Sequence, residues 1–372
     1  MKAAKLSWLE IDLSAIRYNI SAVQELIGDG CRVLAVIKSD AYGHGILQIA
    51  RAAVEGGAWG FCVSNVEEAR RLRREGIEVP ILHLNSGPTQ QAGQIIRLQL
   101  IQTLCDREMA KALSRAASRA GSEVEVHMKI DTGMGRLGIA PEETEAFAAE
   151  VAALPGLRLT AVFSHLATAE EPDSSYALSQ LERFQDCLHR LTSSLPGLKA
   201  HIANSAAAVR FPQMRFDFVR VGLLVYGVPP IAEDTASPQV QPALTWRTQV
   251  AFVKKIAAGA SVSYGRTWRA PASTTLAVLP VGYADGYPRS LSNRGWVLFR
   301  GRLRPVVGTV CMNHMMIDVG NETGVCPGEE VVLIGSQGGE QITVNRLAQW
   351  AQTINHEILA RLGGHLPRTY LN

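Results

Sequence analysis

Lys38 is the residue whose type and position most directly suggest chemistry. It follows the apolar run 33–37, and the polar, glycine-rich segment 39–45 separates it from a helix predicted to begin near Ile46. A lysine at the end of a β-strand can simply extend its amine into solvent. Partial burial and neighbouring charge can instead lower the pKa of the amine and prepare it for Schiff-base chemistry with a carbonyl. Position alone leaves both interpretations open.

Histidine and cysteine spacings do not indicate a metal site. The six cysteines include no Cys-x-x-Cys pair, and the nine histidines show no His-x-x-x-His spacing. We therefore expect no metal and no disulfide framework. A metal-dependent barrel hydrolase, which would use histidines and carboxylates at strand ends, is kept as an alternative. Four histidines lie on or near apolar runs: His83, His127, His165 and His201.

The elements that must position these residues are βα units. From residue 31 onward, short apolar runs alternate with helix-period stretches rich in Ala, Leu, Glu and Arg. The predicted strands are 31–37, 61–64, 79–85, 100–105, 124–130, 159–166, 201–205 and 218–226. Asp106 and Gly121 bound one predicted helix, and Asn65 and Gly76 bound another. Eight strands with seven or eight helices over roughly 200 residues predict an N-terminal (β/α)8 TIM-like barrel.

The sequence changes character after about residue 235. Runs of Val, Leu and Thr separated by Gly, Pro and Asn predict a second, mainly β domain. Its predicted strands are 248–253, 274–280, 296–299, 304–310 and 330–334, with a helix at 345–362. We place the barrel domain at 1–235 and the C-terminal β domain at 236–372. The opening residues 1–13, in which 5–13 alternate apolar and polar types, are a candidate additional strand of the β domain.

Composition excludes several classes of partner. Basic residues number 37 and acidic residues 34, and the formal net charge of +3 does not indicate a nucleic-acid-binding tail or a polybasic membrane patch. Hydrophobic residues make up 47% of the chain, yet no apolar run approaches the roughly 18 residues of a membrane span. Residues 1–4 contain a lysine, but no apolar signal-peptide region follows. We expect a cytoplasmic protein that binds neither nucleic acid nor membrane.

Residues 36–45, Val-Ile-Lys-Ser-Asp-Ala-Tyr-Gly-His-Gly, resemble the pyridoxal phosphate lysine motif of bacterial alanine racemases. Further blocks resemble this family and occur in its order: 127–138, 163–167, 201–205, 220–223, 263–266 and 311–312. The resemblance covers essentially the whole chain. It implies pyridoxal 5'-phosphate bound through Lys38, and a head-to-tail homodimer with shared active sites. It also implies interconversion of L-alanine and D-alanine, which supplies D-alanine for peptidoglycan.

Racemisation needs two acid/base groups. It removes the Cα proton from one face of the substrate and returns a proton to the other, across a planar carbanion that the cofactor stabilises. Lys38 can serve one face, and the resemblance implies that Tyr264, from the β domain, serves the other. A phenol has an unperturbed pKa near 10, so Tyr264 would need positive charge or hydrogen-bond donors beside it. An ordinary loop tyrosine is the alternative.

The resemblance implies roles for further residues. Loops after the last two barrel strands commonly bind phosphate, and the implied phosphate contacts are Tyr42, Asn204, Ser205, Gly222 and Leu223. The last predicted barrel strand is therefore expected to end near Val221 instead of residue 226. The resemblance implies that Arg220 faces the pyridine nitrogen. A guanidinium can donate a hydrogen bond to that nitrogen without readily releasing a proton. His165 is implied to pack beside the cofactor ring. Arg136 and the backbone of Met312 are implied contacts of a cofactor oxygen or the substrate carboxylate. Structural ion pairs for the arginines and simple turn formation for the small residues are the alternatives.

Lys129 lies on the fifth predicted strand, seven residues before Arg136. In many relatives the corresponding lysine is carbamylated by carbon dioxide, which converts a cation into an anion that orients the arginine. We hypothesise the same modification here. An unmodified lysine bonded to a nearby carboxylate is the alternative.

Two positions depart from the family pattern. Asn313 stands where relatives usually have aspartate after Cys-Met, and His356 replaces a tyrosine that donates to the phosphate and narrows the pocket. Imidazole can still donate to phosphate, but its different shape leaves a serine or broader amino-acid preference open. A barrel decarboxylase using the same cofactor and a non-enzymatic, barrel-only carrier of the cofactor are rival hypotheses. The Ser-Tyr-Gly-Arg block at 263–266 and the whole second domain count against them.

Overall fold

The computed structural model describes residues 6–231 and 238–372. They fall into a barrel unit and a β unit. The barrel unit comprises 15–41, 46–231 and 238–241, and the β unit comprises 6–14, 42–45 and 242–372. The domain boundary predicted between residues 235 and 236 lies outside the described residues. Within the described part of the chain, no helix is both long and apolar enough to cross a membrane.

The barrel unit is built on eight parallel strands. With strands numbered along the chain, and β1 (Ser7–Asp12) belonging to the β unit, they are β2 (Arg32–Val36), β3 (Gly60–Val63), β4 (Ile81–His83), β5 (Ile101–Leu104), β6 (Val124–Lys129), β7 (Leu157–Phe163), β8 (Lys199–His201) and β9 (Phe218–Val221). Their order is β8-β7-β6-β5-β4-β3-β2-β9. The N–H groups of Asp217 and Arg220 donate to the carbonyls of Ala200 and Ala203, both at 3.0 Å. These bonds join the two ends of the sheet, so the predicted (β/α)8 barrel is confirmed.

Helices follow the barrel strands, and their ends are set by local side chains. The described helices of this part of the chain are Leu13–Ile27, Ile46–Glu55, Val66–Arg74, Ala92–Arg97, Arg107–Ala120, Thr144–Ala152, Ser175–Ser194 and Ser205–Arg210. Asp106 accepts from the N–H of Met109 at 2.7 Å, and left-handed Gly121 ends the same helix. Asn65 likewise accepts from the N–H of Glu68 at 2.9 Å. Both predicted helix starts are confirmed.

Two of the predicted barrel strands extend four or five residues past the observed carboxyl ends. The predicted strand 201–205 ends at His201, because Asn204 caps a helix that begins at Ser205 by accepting from the N–H of Ala207 at 2.9 Å. The apolar run 218–226 is too long for the strand, which ends at Val221 as the implied phosphate contacts predicted, and Leu223–Tyr226 form a 3-10 turn. That turn is buried on all sides, so its apolar run gives no period by which to distinguish strand from helix.

The strand β6 carries polar side chains into the barrel interior. Alternate residues of a strand share a face, and Glu125, His127 and Lys129 share one here. The ring centroids of His127 and His201 are 5.1 Å apart, and Nζ of Lys129 lies 5.4 Å from the centroid of the Phe163 ring. Because β8 and β7 supply those neighbours, this face of β6 lines the inside of the barrel.

The β unit contains a large sheet and a short hairpin. Its further strands are β10 (Leu244–Gln249), β11 (Phe252–Ile256), β12 (Ser261–Val262), β13 (Trp268–Arg269), β14 (Thr274–Leu279), β15 (Trp296–Phe299), β16 (Arg302–Val307), β17 (Met315–Gly320), β18 (Glu330–Gln337), β19 (Glu340–Ile342) and β20 (Arg368–Leu371). The sheet order is β11-β14-β17-β16-β15-β18-β10-β1-β20, with β19 on β18, and β12 pairs with β13. The opening strand β1 pairs with β10 antiparallel and with β20 parallel.

Two predictions in the β unit were wrong in detail. The predicted strand 248–253 spans the break between β10 and β11. The predicted helix 345–362 is two helices, Val344–Ala351 and Asn355–Ala360. Gln352 adopts a left-handed conformation with φ 58°, and its N–H bonds back to the first helix, which ends it there. This break sets the position of His356 in the second helix.

Candidate active site

Lys38 lies at the carboxyl end of β2 and begins an unusual turn. Burial, and then the charge of Arg136, lower the pKa of its amine below the usual 10.5. The four residues that follow, 39–42, all have left-handed backbone with φ between 52° and 55°. None of them is glycine, and this conformation costs roughly 1–2 kcal/mol for each such residue. Strain of this kind persists only where the surroundings enforce it, and it is concentrated at functional sites.

The buried carboxylate of Glu68 is one group that enforces the turn. Its Oε1 accepts from the N–H of Ser39 at 2.6 Å, and its Oε2 accepts from the N–H of Ser64 at 2.8 Å. Glu68 therefore ties the residue after Lys38 to the end of the neighbouring strand β3. No sequence signal identified Glu68, because an acidic residue in the first turn of a helix is common on electrostatic grounds alone.

Positively charged side chains converge at this end of the barrel. Lys129 is buried at the end of β6, and burial, followed by the charges of Arg220 and Arg136, lowers the pKa of its amine to about 8. Burial likewise lowers the pKa of Arg220 to about 10. Among the described residues, no carboxylate lies within ion-pair distance of Lys38, Lys129 or Arg220. The site therefore has an excess of positive charge that an anionic ligand would neutralise.

The guanidinium of Arg220 is fixed by neutral acceptors. Its Nη1 donates to Nδ1 of His201 at 2.7 Å, and its Nη2 donates to the carbonyl of Ser164 at 2.7 Å and to Nδ1 of His165 at 3.2 Å. Burial, and next the charge of Arg220, hold the pKa of His165 well below 6.5. Among the described residues, every side-chain hydrogen bond of Arg220 comes from its two terminal nitrogens, so Nε–H is the side-chain donor left to meet a ligand.

The loops after β8 and β9 contact each other directly. The N–H of Gly222 donates to Oγ of Ser205 at 2.9 Å. Asn204 caps the helix that Ser205 begins, and Leu223 starts the 3-10 turn after β9. The predicted phosphate contacts of the barrel unit are thus adjacent, and the observed bonds of Asn204 show that it also has a structural role.

Tyr42 and His356 are brought together in the β unit. Their ring centroids are 5.7 Å apart, with an angle of 47° between the planes. The segment after Tyr42 is closely packed: a Cβ on Gly43 would lie 2.6 Å from the carbonyl of Leu359, so only glycine fits there. Position 356, where the sequence departs from its family, therefore lies beside one of the expected phosphate ligands.

Tyr264 projects from a second strained turn in the β unit. Its side chain is 72% exposed. Ser263 has φ 64° and ψ −175°, a backbone conformation that is strongly disfavoured for residues other than glycine. Oγ of Ser263 donates to the carbonyl of Thr309 at 2.6 Å, and Oγ1 of Thr309 donates to the carbonyl of Tyr264 at 2.8 Å. These reciprocal bonds hold the backbone of the turn while they leave the phenol displayed.

Met312 lies in a tight loop whose carbonyls are already bonded. The N–H groups of Tyr283 and Ala284 donate to the carbonyls of Cys311 and Met312, at 3.1 and 3.0 Å. A Cβ on Gly282 would come within 2.4 Å of the Met312 carbonyl, so glycine is required there. A carboxylate only accepts hydrogen bonds, so the backbone group of Met312 that could bind a substrate carboxylate is its N–H.

The residues of the barrel unit fit pyridoxal phosphate. The cofactor carries a carbonyl for an amine, a ring nitrogen for a donor and an anionic phosphate. Lys38 supplies an amine of lowered pKa, Arg220 an available N–H, and the buried cationic cluster compensates negative charge. In the described residues, no group of three or more His, Cys, Asp or Glu side chains is arranged to hold a metal ion.

Comparison with known proteins decides the family. A model of the alanine racemase N-terminal domain matches residues 11–230, and a model of the alanine racemase C-terminal domain matches residues 243–370. The chain belongs to the alanine racemase family. It is accordingly a pyridoxal phosphate-dependent amino-acid racemase, as the lysine motif and the later blocks predicted.

Individual alanine racemases agree with this assignment over their full length. The chain is 45% identical to that of Symbiobacterium thermophilum and 43% identical to that of Desulfosudis oleivorans, each over 98% of this chain and 97% of the relative. The crystal structure of alanine racemase from D-cycloserine-producing Streptomyces lavendulae has a TM-score of 0.94 and 35% identity, and covers 100% of this chain and 98% of that one. Racemase chemistry is thus favoured over the decarboxylase, carrier and metal-hydrolase hypotheses.

Proposed function

We propose that this enzyme interconverts L-alanine and D-alanine with Lys38 and Tyr264 as the two acid/base groups. The observation that carries the proposal is the buried cationic cluster around Lys38, in a chain that matches alanine racemases from end to end. When bound, pyridoxal phosphate supplies an electron sink that makes the Cα proton of the amino acid acidic. The chain itself must hold the reactants and move protons at two opposed positions.

Lys38 serves one face of the substrate. Its amine must be unprotonated to accept a proton, and burial together with the charge of Arg136 favours that form by lowering its pKa. Glu68 fixes the turn that begins at Lys38, so the amine emerges from a rigid backbone. Rigid placement matters because proton transfer requires hydrogen-bond distance between donor and acceptor.

Tyr264 serves the other face, and we propose that it does so in the active site of a second subunit. Its phenol is 72% exposed, as is 55% of Met312 on a neighbouring loop. Two exposed side chains on tightly held loops are suited to insertion into another protomer. A head-to-tail homodimer would bring Tyr264 near cationic groups, which a phenol needs in order to give up its proton near neutral pH.

Other residues hold the cofactor and the substrate. We assign the phosphate to Tyr42, Asn204, Ser205, Gly222, Leu223 and His356. Arg220 would donate its Nε–H to the ring nitrogen and keep its own proton, which would limit the electron demand of the ring and favour prompt return of the proton to Cα. His165 would pack beside the ring. Arg136 and the N–H of Met312 bind the substrate carboxylate, and carbamylated Lys129 orients Arg136.

The cellular role that we propose is supply of D-alanine for peptidoglycan. Serine is the second candidate substrate, because His356 stands beside Tyr42 where relatives have a tyrosine. The shorter imidazole leaves room for a side chain one hydroxyl larger than that of alanine.

Deuterium exchange at Cα tests the two-base assignment. Wild type, Lys38→Ala and Tyr264→Phe are incubated in heavy water with each alanine enantiomer, and the initial wash-in is followed by mass spectrometry. We expect the two variants to lose exchange preferentially with opposite enantiomers, because each removes the group on one face. Tyr18→Phe, which removes an exposed phenol hydroxyl from the helix Leu13–Ile27, should exchange both enantiomers as wild type does. Equal exchange of both enantiomers by folded Tyr264→Phe would refute the assignment.

A further inference from the structure

A row of hydrogen-bonding groups crosses the barrel interior and ends at Arg220. Nη1 of Arg220 lies 2.7 Å from Nδ1 of His201, and Nε2 of His201 lies 3.0 Å from Nδ1 of His127. Nε2 of His127 in turn lies 3.5 Å from Oε1 of Glu125. His127, His201 and Arg220 are all at most 5% exposed, whereas the Glu125 side chain is 30% exposed. The row thus connects a partly exposed carboxylate to the buried guanidinium.

The row has a single direction of donation. A guanidinium has no acceptor, so Nδ1 of His201 must carry a lone pair. Burial, and next the charge of Arg220, hold the pKa of His201 well below 6.5, and burial also lowers the pKa of His127. Each imidazole is therefore neutral and has one N–H, which sits on Nε2. Arg220 donates to His201, His201 donates to His127, and His127 donates to Glu125.

Glu125 is the charged end of this row, and its place is fixed by other residues. Oε1 accepts from Oγ1 of Thr160 at 2.7 Å, and Oε2 accepts from Nη2 of Arg158 at 3.1 Å. The contact with His127 is the largest cause that holds the pKa of Glu125 at about 2, against the opposing effect of burial. Glu125 therefore stays ionised and presents an acceptor to His127 across the working pH range.

The carboxylate of Glu125 supplies a negative charge that the immediate surroundings of Arg220 lack. In the described residues no carboxylate lies within ion-pair distance of Arg220, and Arg136 adds repulsion. Hydrogen-bonded rows polarise each member in the same sense, so an anion at one end strengthens donation at the other. The stacking of His201 on Phe163, with centroids 4.7 Å and planes 6° apart, keeps the intermediate ring in place.

We propose that Glu125 and His127 are positioning residues for the racemase reaction, which fix the tautomer of His201 and through it the orientation of Arg220 toward the cofactor. This inference rests on the proposed role of Arg220 at the ring nitrogen. Without the carboxylate, the N–H of His127 can move to Nδ1, where it opposes the N–H of His201. His201 must then place its own N–H against Arg220, and the bond at 2.7 Å is lost.

Three variants test the row in the intact holoenzyme. Glu125→Ala removes the acceptor, and Glu125→Gln keeps an oxygen acceptor without the charge. Glu123→Gln is the matched control, because Glu123 also bonds to Arg158, through Nε at 2.7 Å, but lies just before β6 and is exposed. Nitrogen NMR of 15N-histidine-labelled enzyme reports the tautomers of His127 and His201, assigned through His→Gln variants at each position.

Wild type and Glu123→Gln should show both rings as neutral Nε2–H tautomers from about pH 6 to about pH 9, a range in which an ordinary histidine titrates. Glu125→Ala should show mixed tautomers at both histidines, an altered visible absorption band of the cofactor, and a kcat that is roughly tenfold lower with little change in KM. Glu125→Gln should retain the tautomers and recover part of kcat.

Wild-type tautomers at His201 in Glu125→Ala would overturn the proposal, and so would the same changes in Glu123→Gln. A structural role alone would lower the unfolding temperature of Glu125→Ala without moving the His201 resonances. If wild-type enzyme failed to racemise alanine, the proposed function would fail while the imidazole resonances still tested the row.

Discussion

Lys38 and Tyr264 both sit on turns with left-handed, non-glycine backbone, but the two turns are held in different ways. The turn at Lys38 is partly buried at the end of a barrel strand, and the carboxylate of Glu68, which lies 29 residues later in the chain than Ser39, anchors it. The turn at Tyr264 is at the surface. Its backbone is held by the Ser263 hydroxyl, which donates to the Thr309 carbonyl, and by the Thr309 hydroxyl, which donates to the Tyr264 carbonyl. The first turn leaves the Lys38 amine partly buried, and the second leaves the Tyr264 phenol exposed.

Because the two turns are held differently, substitutions at them should affect protein stability to different extents. Changes near Lys38 disturb buried charge and the backbone hydrogen bonds that Glu68 accepts, so they should alter folding as well as activity. Changes to the phenol of Tyr264 touch little else in its own chain and should alter activity alone. The predictions below test this contrast, beginning with the largest expected effect.

Glu68→Ala should destabilise the enzyme by about 2–4 kcal/mol, because the N–H groups of Ser39 and Ser64 each lose a charged acceptor that is itself buried. Racemase activity should fall with it, since the Lys38 turn loses its anchor. Urea unfolding monitored by circular dichroism gives the free energy. The control Glu67→Ala removes an exposed neighbour that pairs with Arg70, and it should cost less than about 0.5 kcal/mol. Equal losses in the two variants would show that the turn does not depend on Glu68.

Lys129→Met should raise stability at pH 7 by roughly 2–3 kcal/mol in bicarbonate-free buffer. Burial and neighbouring arginines lower the pKa of Lys129 from 10.5 to about 8 in the folded state. Below pH 8 both states hold the proton and the folded state bears the full cost of the buried charge. Between pH 8 and 10.5 the unfolded state binds more protons, so wild-type stability rises with pH and the gap to the variant narrows.

The same stability measurements on wild type and Lys129→Met, repeated with bicarbonate, test carbamylation of Lys129. A carbamate would replace the buried cation by an anion beside Arg136 and Arg220, so bicarbonate at pH 8 should stabilise wild type and leave Lys129→Met unchanged. Lys111→Met, at an exposed helical position, should behave as wild type in both buffers. A wild type indifferent to bicarbonate, with an unchanged intact mass, would contradict carbamylation.

His356→Tyr should reduce kcat/KM for serine relative to alanine by about five- to tenfold, since a larger ring beside Tyr42 narrows the space for a hydroxymethyl group. Competition assays with both amino acids measure the ratio directly. His189→Tyr, an exposed histidine on the helix Ser175–Ser194, controls for added tyrosine. An unchanged ratio would exclude position 356 as a determinant of substrate size.

Tyr264→Phe should change the free energy of unfolding by less than about 0.5 kcal/mol, because the side chain is 72% exposed. The same variant should lose exchange of one alanine enantiomer. Urea unfolding at a protein concentration held constant across variants provides the comparison. A loss of stability as large as that of Glu68→Ala would mean that the phenol of Tyr264 contributes to the stability of the folded protein.

The sequence predicts many candidate site residues because the family motifs are local. The lysine block and the block 127–138 carry their residues within short stretches, so Lys38, Lys129 and Arg136 could be predicted directly as site residues. Glu68 and the row from Glu125 to Arg220 were not predicted. They depend on contacts between separate strands, and no spacing along the chain shows that His127 faces His201.

The sequence by itself determined the alternation of strands and helices, the family and the chemical types available for catalysis, because periodicity, capping residues and motifs are properties of neighbouring residues. Only the tertiary structure decided the left-handed backbone after Lys38, the burial that lowers the pKa of Lys38 and Lys129, and the display of Tyr264. The physical reason is that strain, desolvation and exposure are set by groups that meet only when distant segments pack together.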